Sequence, residues 1–420
     1  MIELLIIADD FTGALDTGVQ FTKKGIKTLV TTNDEIKMDK IDSDVQVLVV
    51  DVESRHVSSK IAYDRVKKVA KAAKQCNVPH IYKKTDSALR GNIGGELQAV
   101  LDAYEETELF FLPAFPKIGR TTKEGYHYLD GVPINESVFG QDPFEPVKYS
   151  YIPQIIKEQS DVQVETVPVG SNQTFDTATG KQVIYVFDAV TGEDLRANGE
   201  LVKKNGKLKV LAGCAGFAEF LPDLLEIKTK PQDVIVNDIG MIVVSGSVNQ
   251  ITLDQLNYAK ESGFFSYTFL PQQKLDKNYT ASSQCEEFMD YIEEQYRSSR
   301  RIVLEAVSNR EQMKLADEYA KENGINFDDM RHIIADNIGK MVAELMKRNE
   351  QTTLVVFGGD TLIAIIEHME CQGIVPITEV TPGVVLARAV GSQHSFNIVT
   401  KSGGFGEKDV IEKIEKFLKV

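Results

Sequence analysis

Leu4-Leu5-Ile6-Ile7-Ala8-Asp9-Asp10-Phe11-Thr12-Gly13-Ala14 is an apolar run that stops at two carboxylates, with a glycine where a helix would begin. Short β-branched runs recur at 28–31, 45–50, 80–82 and 109–112, and longer helical patterns such as 58–75 lie between them. Within 58–75, Ile61, Val66, Val69 and Ala73 fall near helical spacing with lysines between them, as in a helix packed by one face and wet on the other. Strands and helices alternating in this way form a mainly parallel sheet flanked by helices. Open α/β sheets bind ligands at the carboxyl ends of their strands, which puts Asp9 and Asp10 at a candidate site. Asp is also a favoured helix N-cap, but two adjacent carboxylates exceed what one cap needs.

The 420 residues suffice for two or three domains at roughly 150 residues each. After Leu211-Ala-Gly-Cys-Ala-Gly-Phe-Ala, the pair Leu221-Pro222 and the polar stretch 228–233 precede a new strand at 241–244. This predicts an α/β chain of two domains, 1–230 and 231–420, each a mainly parallel sheet flanked by helices, with the site in the cleft between them. The second half repeats the rhythm, with strands at 301–305, 353–357 and 396–400 and helices at 249–262 and 327–348. A net charge of -15 excludes a general nucleic-acid or membrane-surface binder, so substrate anions must be met by local basic pockets. Cys76, Cys214, Cys285 and Cys371 lie far apart without metal-ligand spacing, which fits free thiols in a reducing compartment. With no basic leader before Asp9 and no apolar run of about 18 residues, a soluble cytoplasmic protein is expected.

Residues 84–92, Lys84-Thr85-Asp86-Ser87-Ala88-Leu89-Arg90-Gly91-Asn92, gather two cations, a carboxylate, hydroxyls and an amide directly after an apolar stretch. Lys84, Asp86 and Arg90 do not form one stripe at helical spacing, and Gly91-Asn92 suits a tight turn, so the charges converge on a ligand at a strand end. Lys and Arg suit a carboxylate or phosphate; Asp86 and Ser87 supply the acceptor and donor that hydroxyls require, which favours a small polyhydroxy acid over a bare anion. The plainer alternative is a solvated charged loop. Downstream, 113–131 is rich in Gly, Pro and aromatics and reads as a long functional loop from which Arg120 and His127 close over the acid group, although a lone His there also suits a structural role.

Three junctions of one type mark the second half: Ser245-Gly246-Ser247, Gly358-Gly359-Asp360-Thr361 and Lys401-Ser402-Gly403-Gly404-Phe405-Gly406, each at the end of a strand. Glycine lets a phosphate approach backbone amides closely, and a helix N-terminus behind them favours anions. One such turn is commonplace; three in one domain point to a nucleotide polyphosphate. The G-x-x-x-x-G-K-[ST] loop is absent, and Asp-Asp-Phe-Thr-Gly stands where a dinucleotide fold would carry G-x-G-x-x-G. A polyhydroxy-acid pocket in one half and phosphate cradles in the other suggest phosphoryl transfer across a cleft that closes on its ligands.

In this order, Asp9-Asp10-Phe11-Thr12-Gly13-Ala14, residues 84–92 and the three glycine junctions resemble the four-carbon acid sugar kinase family over almost the full chain. The resemblance implies a sugar-acid domain followed by a nucleotide domain, with ATP and Mg2+ as cofactors and phosphorylation of the terminal hydroxyl of D-threonate, D-erythronate or 3-oxo-tetronate. The candidate substrate ligands are Asp10, Thr12, Lys84, Asp86, Ser87, Arg90, Gly91, Arg120 and His127, with Lys84 and Arg90 clamping the carboxylate. The nucleotide set is Ser245, Gly246, Ser247, Gly358, Gly359, Asp360, Thr361, Gly403 and Gly404; Asp9, Asp10 and Asp360 compete as base or metal partner. Ala88 replaces a more usual Thr, Val248-Asn249 a more usual Cys-Ser pair, and Phe357 and Leu362 are bulkier than the pattern, departures that leave the charged ligands intact. A nicotinamide-dependent dehydrogenase of a small hydroxy acid and a non-catalytic sugar-acid sensor are the competing readings. The stereoisomer used and any homo-oligomer are open.

Overall fold

The opening run is strand β1 (Leu4–Ala8), buried at every residue, and Asp10 caps helix α1 (Phe11–Thr22) by accepting a hydrogen bond from the Gly13 N–H. The computed structural model describes residues 2–35, 38, 41–141, 146–175, 180–229, 239–349, 351–391, 395–401 and 405–418. The chain divides into two units, Met1–Gln232 and Asp233–Val420.

The first unit continues with β2 (Thr28–Thr31), β3 (Val47–Asp51), α2 (Ser59–Gln75), β4 (His80–Lys84), α3 (Ile93–Tyr104), β5 (Glu108–Leu112), β6 (Arg120–Lys123), β7 (Tyr126–Leu129), β8 (Val132–Pro133), α4 (Ile152–Lys157), β9 (Gln163–Val167), β10 (Val183–Phe187), α5 (Gly192–Lys204), β11 (Val210–Gly213), α6 (Ala215–Ala218) and α7 (Leu221–Leu224). Its main sheet runs β2-β3-β1-β4-β11-β5-β10-β9 with parallel pairing throughout. Continuous apolar strands such as β1, β3 and β5 are what a sheet covered on both faces requires. Helix α2 is capped by the Ser58 hydroxyl and buries Ala62, Val66, Val69, Ala70 and Ala73. Ile61, which the spacing assigned to that face, is 46% exposed; the neighbouring Ala62 packs inward instead.

Residues 120–133 are not a loop. They form an antiparallel sheet, β6-β7-β8, whose turns Glu124-Gly125 and Asp130-Gly131 place both residues at positive φ (54° and 77°, 49° and 82°). Two central residues at φ > 0 make the tight hairpin turn whose twist matches its strands, and Asp-Gly is its usual sequence. The density of Gly that suggested irregular chain is therefore hairpin chemistry.

The second unit comprises β12 (Met241–Ser245), α8 (Gln250–Glu261), β13 (Phe265–Thr268), α9 (Pro271–Leu275), α10 (Ser283–Ser299), β14 (Arg301–Glu305), α11 (Arg310–Glu322), α12 (Phe327–Arg348), β15 (Thr353–Phe357), α13 (Gly359–His368), β16 (Cys371–Thr381), β17 (Val384–Gly391), β18 (Ser395–Lys401) and α14 (Val410–Leu418). Its strands run β13-β14-β12-β15-β18-β17-β16, parallel from β13 to β18 and antiparallel across β18, β17 and β16. Val243, Val303, Val355 and Val399 from the parallel strands meet Leu256 of α8 and Ile411 and Ile414 of α14 in one core. Among the described residues, no helix is long and apolar enough to cross a membrane.

Candidate functional site

In the first unit, Ala8 pairs with Asp51 on one side and Lys84 on the other, Lys84 with Gly213, and Gly213 with Leu112. The carboxyl ends of β3, β1, β4, β11 and β5 therefore lie side by side, and the segments leaving them carry the charge. Arg55, four residues past β3, donates from Nε to Asp9 Oδ2 at 2.7 Å and from Nη2 to Asp10 Oδ1 at 2.6 Å, and Nη2 lies 3.7 Å from Asp86 Oδ1. Lys84 Nζ lies 3.4 Å from Asp9 Oδ1 and 3.7 Å from Asp10 Oδ1. Arg90 grips Asp86 with both arms, Nε to Oδ2 at 2.8 Å and Nη2 to Oδ1 at 3.1 Å. Asp9, Asp86, Arg55 and Lys84 are buried. A Cβ on Gly13 would stand 2.3 Å from Lys84 Nζ and 2.4 Å from Asp10 Oδ1, so any larger residue there would displace those two side chains.

Burial alone would raise the Asp9 carboxyl, but Arg55 and then Lys84 outweigh it and hold it well below the ordinary carboxylate range. Asp86 is likewise opposed by burial and lowered by Arg90 and Arg55. Burial pulls Lys84 down, yet Asp9 and Asp10 leave it above its usual value. Asp9, Asp86, Lys84, Arg55 and Arg90 are thus each shifted toward the charged form by partners that the chain itself supplies. Lys84 and Arg90, expected to clamp the substrate carboxylate, are paired within the chain with Asp9, Asp10 and Asp86.

Arg120 differs. No ion pair to it occurs among the described residues, its Nε is buried without an acceptor, and burial lowers it. Its Nη1 donates to the Ile118 carbonyl, and its guanidinium and that of Arg90 both lie against the Phe139 ring, 5.4 and 5.3 Å from the centroid. A buried donor left unmet costs free energy unless a ligand supplies the acceptor. Thr12 lies half-buried in the first turn of α1, and Ser87 half-buried between Asp86 and Arg90. His127 does not present a cation to a ligand: it is fully buried, burial pushes it down to about 4, and its Nε2 faces the Ser87 carbonyl at 2.9 Å. A cavity of about 330 Å³ opens beside this turn, lined among others by Arg55, Arg90, Gly91, Asn92, Lys148 and Gln159.

Two features escaped the sequence reading. Arg55 was missed although the strand before it was recognised; extending the strand-end rule to Asp51-Val-Glu-Ser-Arg55 would have found it. Beneath it, Lys83 Nζ lies 3.0 Å from Glu96 Oε2 and donates to the Lys84 carbonyl, while the Ser54 hydroxyl donates to Glu96. This buried pair ties α3 to the ends of β3 and β4; no local pattern signals it.

In the second unit, β12, β15 and β18 are neighbours, with Ser245 opposite Phe357 and Phe357 opposite Lys401, so the strands that precede the three glycine junctions end on one edge at one level. Gly246 donates to the Phe357 carbonyl, and a Cβ on it would stand 2.2 Å from Thr361 Oγ1. Gly358, at φ +126°, brings its Cα side to within 3.7 Å of the Ser247 N–H as measured from an added Cβ. Among the described residues no side chain caps α13, which starts at Gly359 with Asp360 and Thr361 in its first turn. Asp360 is half exposed and pairs with Arg331 at 3.0 Å. Ser247 Oγ accepts from the Asn249 N–H at 3.2 Å. Lys401 is buried over the Phe357 ring, donates to the Phe405 carbonyl and is drawn by burial to about 8. Gly403 and Gly404 lie outside the described residues. Small residues at the strand ends, a helix start at Gly359 and a buried lysine are the features to which an anion is suited. Among the described residues no group of three or more His, Cys, Asp or Glu side chains could hold a metal ion.

Comparison with known proteins matches residues 4–221 to a sugar-binding N-terminal domain and residues 242–411 to a nucleotide-binding C-terminal domain. The chain is 28% identical over 425 residues to a D-threonate kinase of Salmonella typhimurium, covering 97% of this chain and 96% of that one. It is also 28% identical over 430 residues to a D-erythronate kinase of Heliobacterium modesticaldum, covering 97% and 95%. A solved structure from Salmonella typhimurium LT2 has the same fold, with a TM-score of 0.80 at 20% identity over 99% of this chain and 100% of that one.

Proposed function

Because the chain belongs to the family built from a sugar-binding N-terminal domain and a nucleotide-binding C-terminal domain, we propose that it is an ATP-dependent kinase of the terminal hydroxyl of a four-carbon sugar acid such as D-threonate, D-erythronate or 3-oxo-tetronate. The observation that carries this reading is the buried charged cluster at the carboxyl edge of the first sheet, together with Arg120, which feels the charge of Asp86 and whose buried Nε has no acceptor among the described residues. Such an edge suits a ligand with one carboxylate and several hydroxyls.

In this proposal Arg120 receives the carboxylate, assisted by Arg90, and Asp86, Ser87 and Thr12 orient the hydroxyls. Asp9, paired with both Arg55 and Lys84, is a fixed strut. Asp10, with a side chain 22% exposed, faces the acceptor hydroxyl and takes its proton. Ser247, Gly246, Gly358, Gly359 and Thr361 would offer amides and hydroxyls to the phosphates, and Asp360 would be the residue that holds Mg2+. ATP would supply the phosphoryl group and Mg2+ the charge neutralisation. Since this chemistry needs little covalent help from protein, positioning and fixed charge carry most of the acceleration.

The test is a panel of D- and L-threonate, D- and L-erythronate and their 3-oxo forms with Mg-ATP, scored by ADP release. Turnover of at least one member is expected. No ADP release together with an absorbance change from NAD(H) would replace the kinase by the dehydrogenase; tight acid binding without turnover would make the protein a sensor.

A further inference from the structure

We infer that His127 is a positioning residue that sets the Asp86-to-Arg90 turn through the Ser87 carbonyl. The ring sits on β7 opposite Thr122 of β6, fully buried, with Nε2 2.9 Å from Ser87 O and Nδ1 3.1 Å from Thr122 Oγ1. A carbonyl oxygen only accepts, so Nε2 carries the hydrogen; Nδ1 is then the acceptor, and the Thr122 hydroxyl donates to it. One tautomer of a neutral ring satisfies both contacts. Neutrality also avoids a second buried cation beside Arg120, whose charge acts on this ring.

The support behind the ring is rigid. Thr122 and Ala189, just past β10, exchange two backbone hydrogen bonds of 2.9 Å, and Asp188 accepts the N–H groups of Glu124 and Gly125 at the hairpin turn. The element in front is not self-sufficient. Leu89 adopts φ +63°, a left-handed conformation unfavourable for a branched side chain, and the turn closes through Leu89 N–H to Asp86 O and through Ala88 and Arg90 N–H to Asp86 Oδ2. Asp86 is therefore committed both to its own turn and to Arg90, so a shift of the Ser87 carbonyl displaces the carboxylate and the guanidinium together. In this proposal Arg120 of the hairpin faces the ligand, whereas His127, which the sequence reading had closing over the acid group, acts from behind as a brace.

The experiment compares His127→Gln, whose amide nitrogen can replace the Nε2 donor, with His127→Phe, which fills the space without a donor, and Thr122→Val, which removes only the hydroxyl on Nδ1. The first readout needs no turnover: amide hydrogen exchange at 86–90 in the full chain. Exchange about tenfold faster in His127→Phe and close to native in His127→Gln is expected, as for loss and replacement of one buried hydrogen bond. Nitrogen NMR of the native ring should show the Nε2–H tautomer. The second readout rests on the kinase reading: the KM for the acid should rise about tenfold in His127→Phe, be largely restored in His127→Gln, and leave the KM for ATP unchanged. Equal exchange in the Phe and Gln variants, or an Nδ1–H tautomer, would overturn the positioning role even if the chain is a kinase. A chain that phosphorylates no acid yet shows the exchange pattern would overturn the kinase reading and leave the brace standing. Should His127→Phe fail to fold, Thr122→Val decides: native exchange at 86–90 and a mixed tautomer refute the proposal, faster exchange supports it.

Discussion

Replacing Arg55 by Met removes the guanidinium that joins Asp9, Asp10 and Asp86 while retaining most of the side-chain volume. Asp9 is 2% exposed and cannot recover its hydration, so the cost is that of a buried carboxylate left under-paired, about 3 to 5 kcal/mol for a broken buried pair. Lys84 remains 3.4 Å from Asp9 and 3.7 Å from Asp10, which places the expected loss at the lower end, about 3 kcal/mol. For a unit of this size that corresponds to a fall in the thermal midpoint of roughly 6 to 12 °C. Two consequences follow in the same variant. Lys84 becomes the main cation holding Asp9 ionised, so acid unfolding should begin at a higher pH than in the native protein; and the acid's KM should rise at least about tenfold, because Asp10 and Asp86 lose their common anchor. Calorimetry of the first domain's transition, denaturation at a series of pH values and steady-state ADP release measure the three effects. Arg55→Lys should fall between, since one ammonium cannot serve both carboxylates in the forked geometry. A Met variant within about 1 kcal/mol of native stability, with the acid's KM within about twofold, would refute the view that Arg55 organises this edge.

Gly358→Ala forces an L-residue into φ +126°, which should lower stability by about 1 to 3 kcal/mol and weaken ATP binding with the acid's affinity unchanged; calorimetric titration of each ligand checks both. Asp360→Asn should leave the thermal midpoint almost unmoved, since its partner Arg331 is itself half exposed, while ADP release falls about a hundredfold if Asp360 serves the Mg2+-bound phosphates. His127 titrates near 6.5 when unfolded and at about 4 in the folded chain, so the unfolded state binds the extra proton between these values. Its contribution is complete above pH 6.5 and is lost as the pH falls from 6.5 to 4, by at most about 3 kcal/mol. Denaturation curves of the native chain should steepen over that window relative to His127→Gln; identical pH profiles would count against the buried neutral ring.

The strands and the charged turn were legible because their signals are local. Five apolar residues in a row at Leu4–Ala8, with carboxylates at the end, say strand and strand end in one reading, and 84–92 shows its mixture of charges without helical spacing. Arg55 was less visible, because its significance lies in Asp9, 46 residues away, and depends on β3 lying next to β1. The hairpins of 120–133 were misread since Gly was taken as a mark of irregularity, whereas Glu124-Gly125 and Asp130-Gly131 use it for a defined left-handed turn. The meander of β16 and β17 passed unnoticed among parallel strands, for nothing in its composition states a reversal of direction.

What the chain's own order of residues determined is the alternation of strand and helix, the type of side chain at each strand end, and the glycines that permit close backbone approach. What only the tertiary structure decided is the pairing: Lys84 and Arg90 held by Asp9, Asp10 and Asp86, Arg120 Nε left without an acceptor among the described residues, and His127 buried against the Ser87 carbonyl. The physical reason is that Coulomb and hydrogen-bond partners are set by which strand ends become neighbours, and the sheet order β3-β1-β4-β11-β5 joins segments more than a hundred residues apart that carry no mutual mark in the sequence.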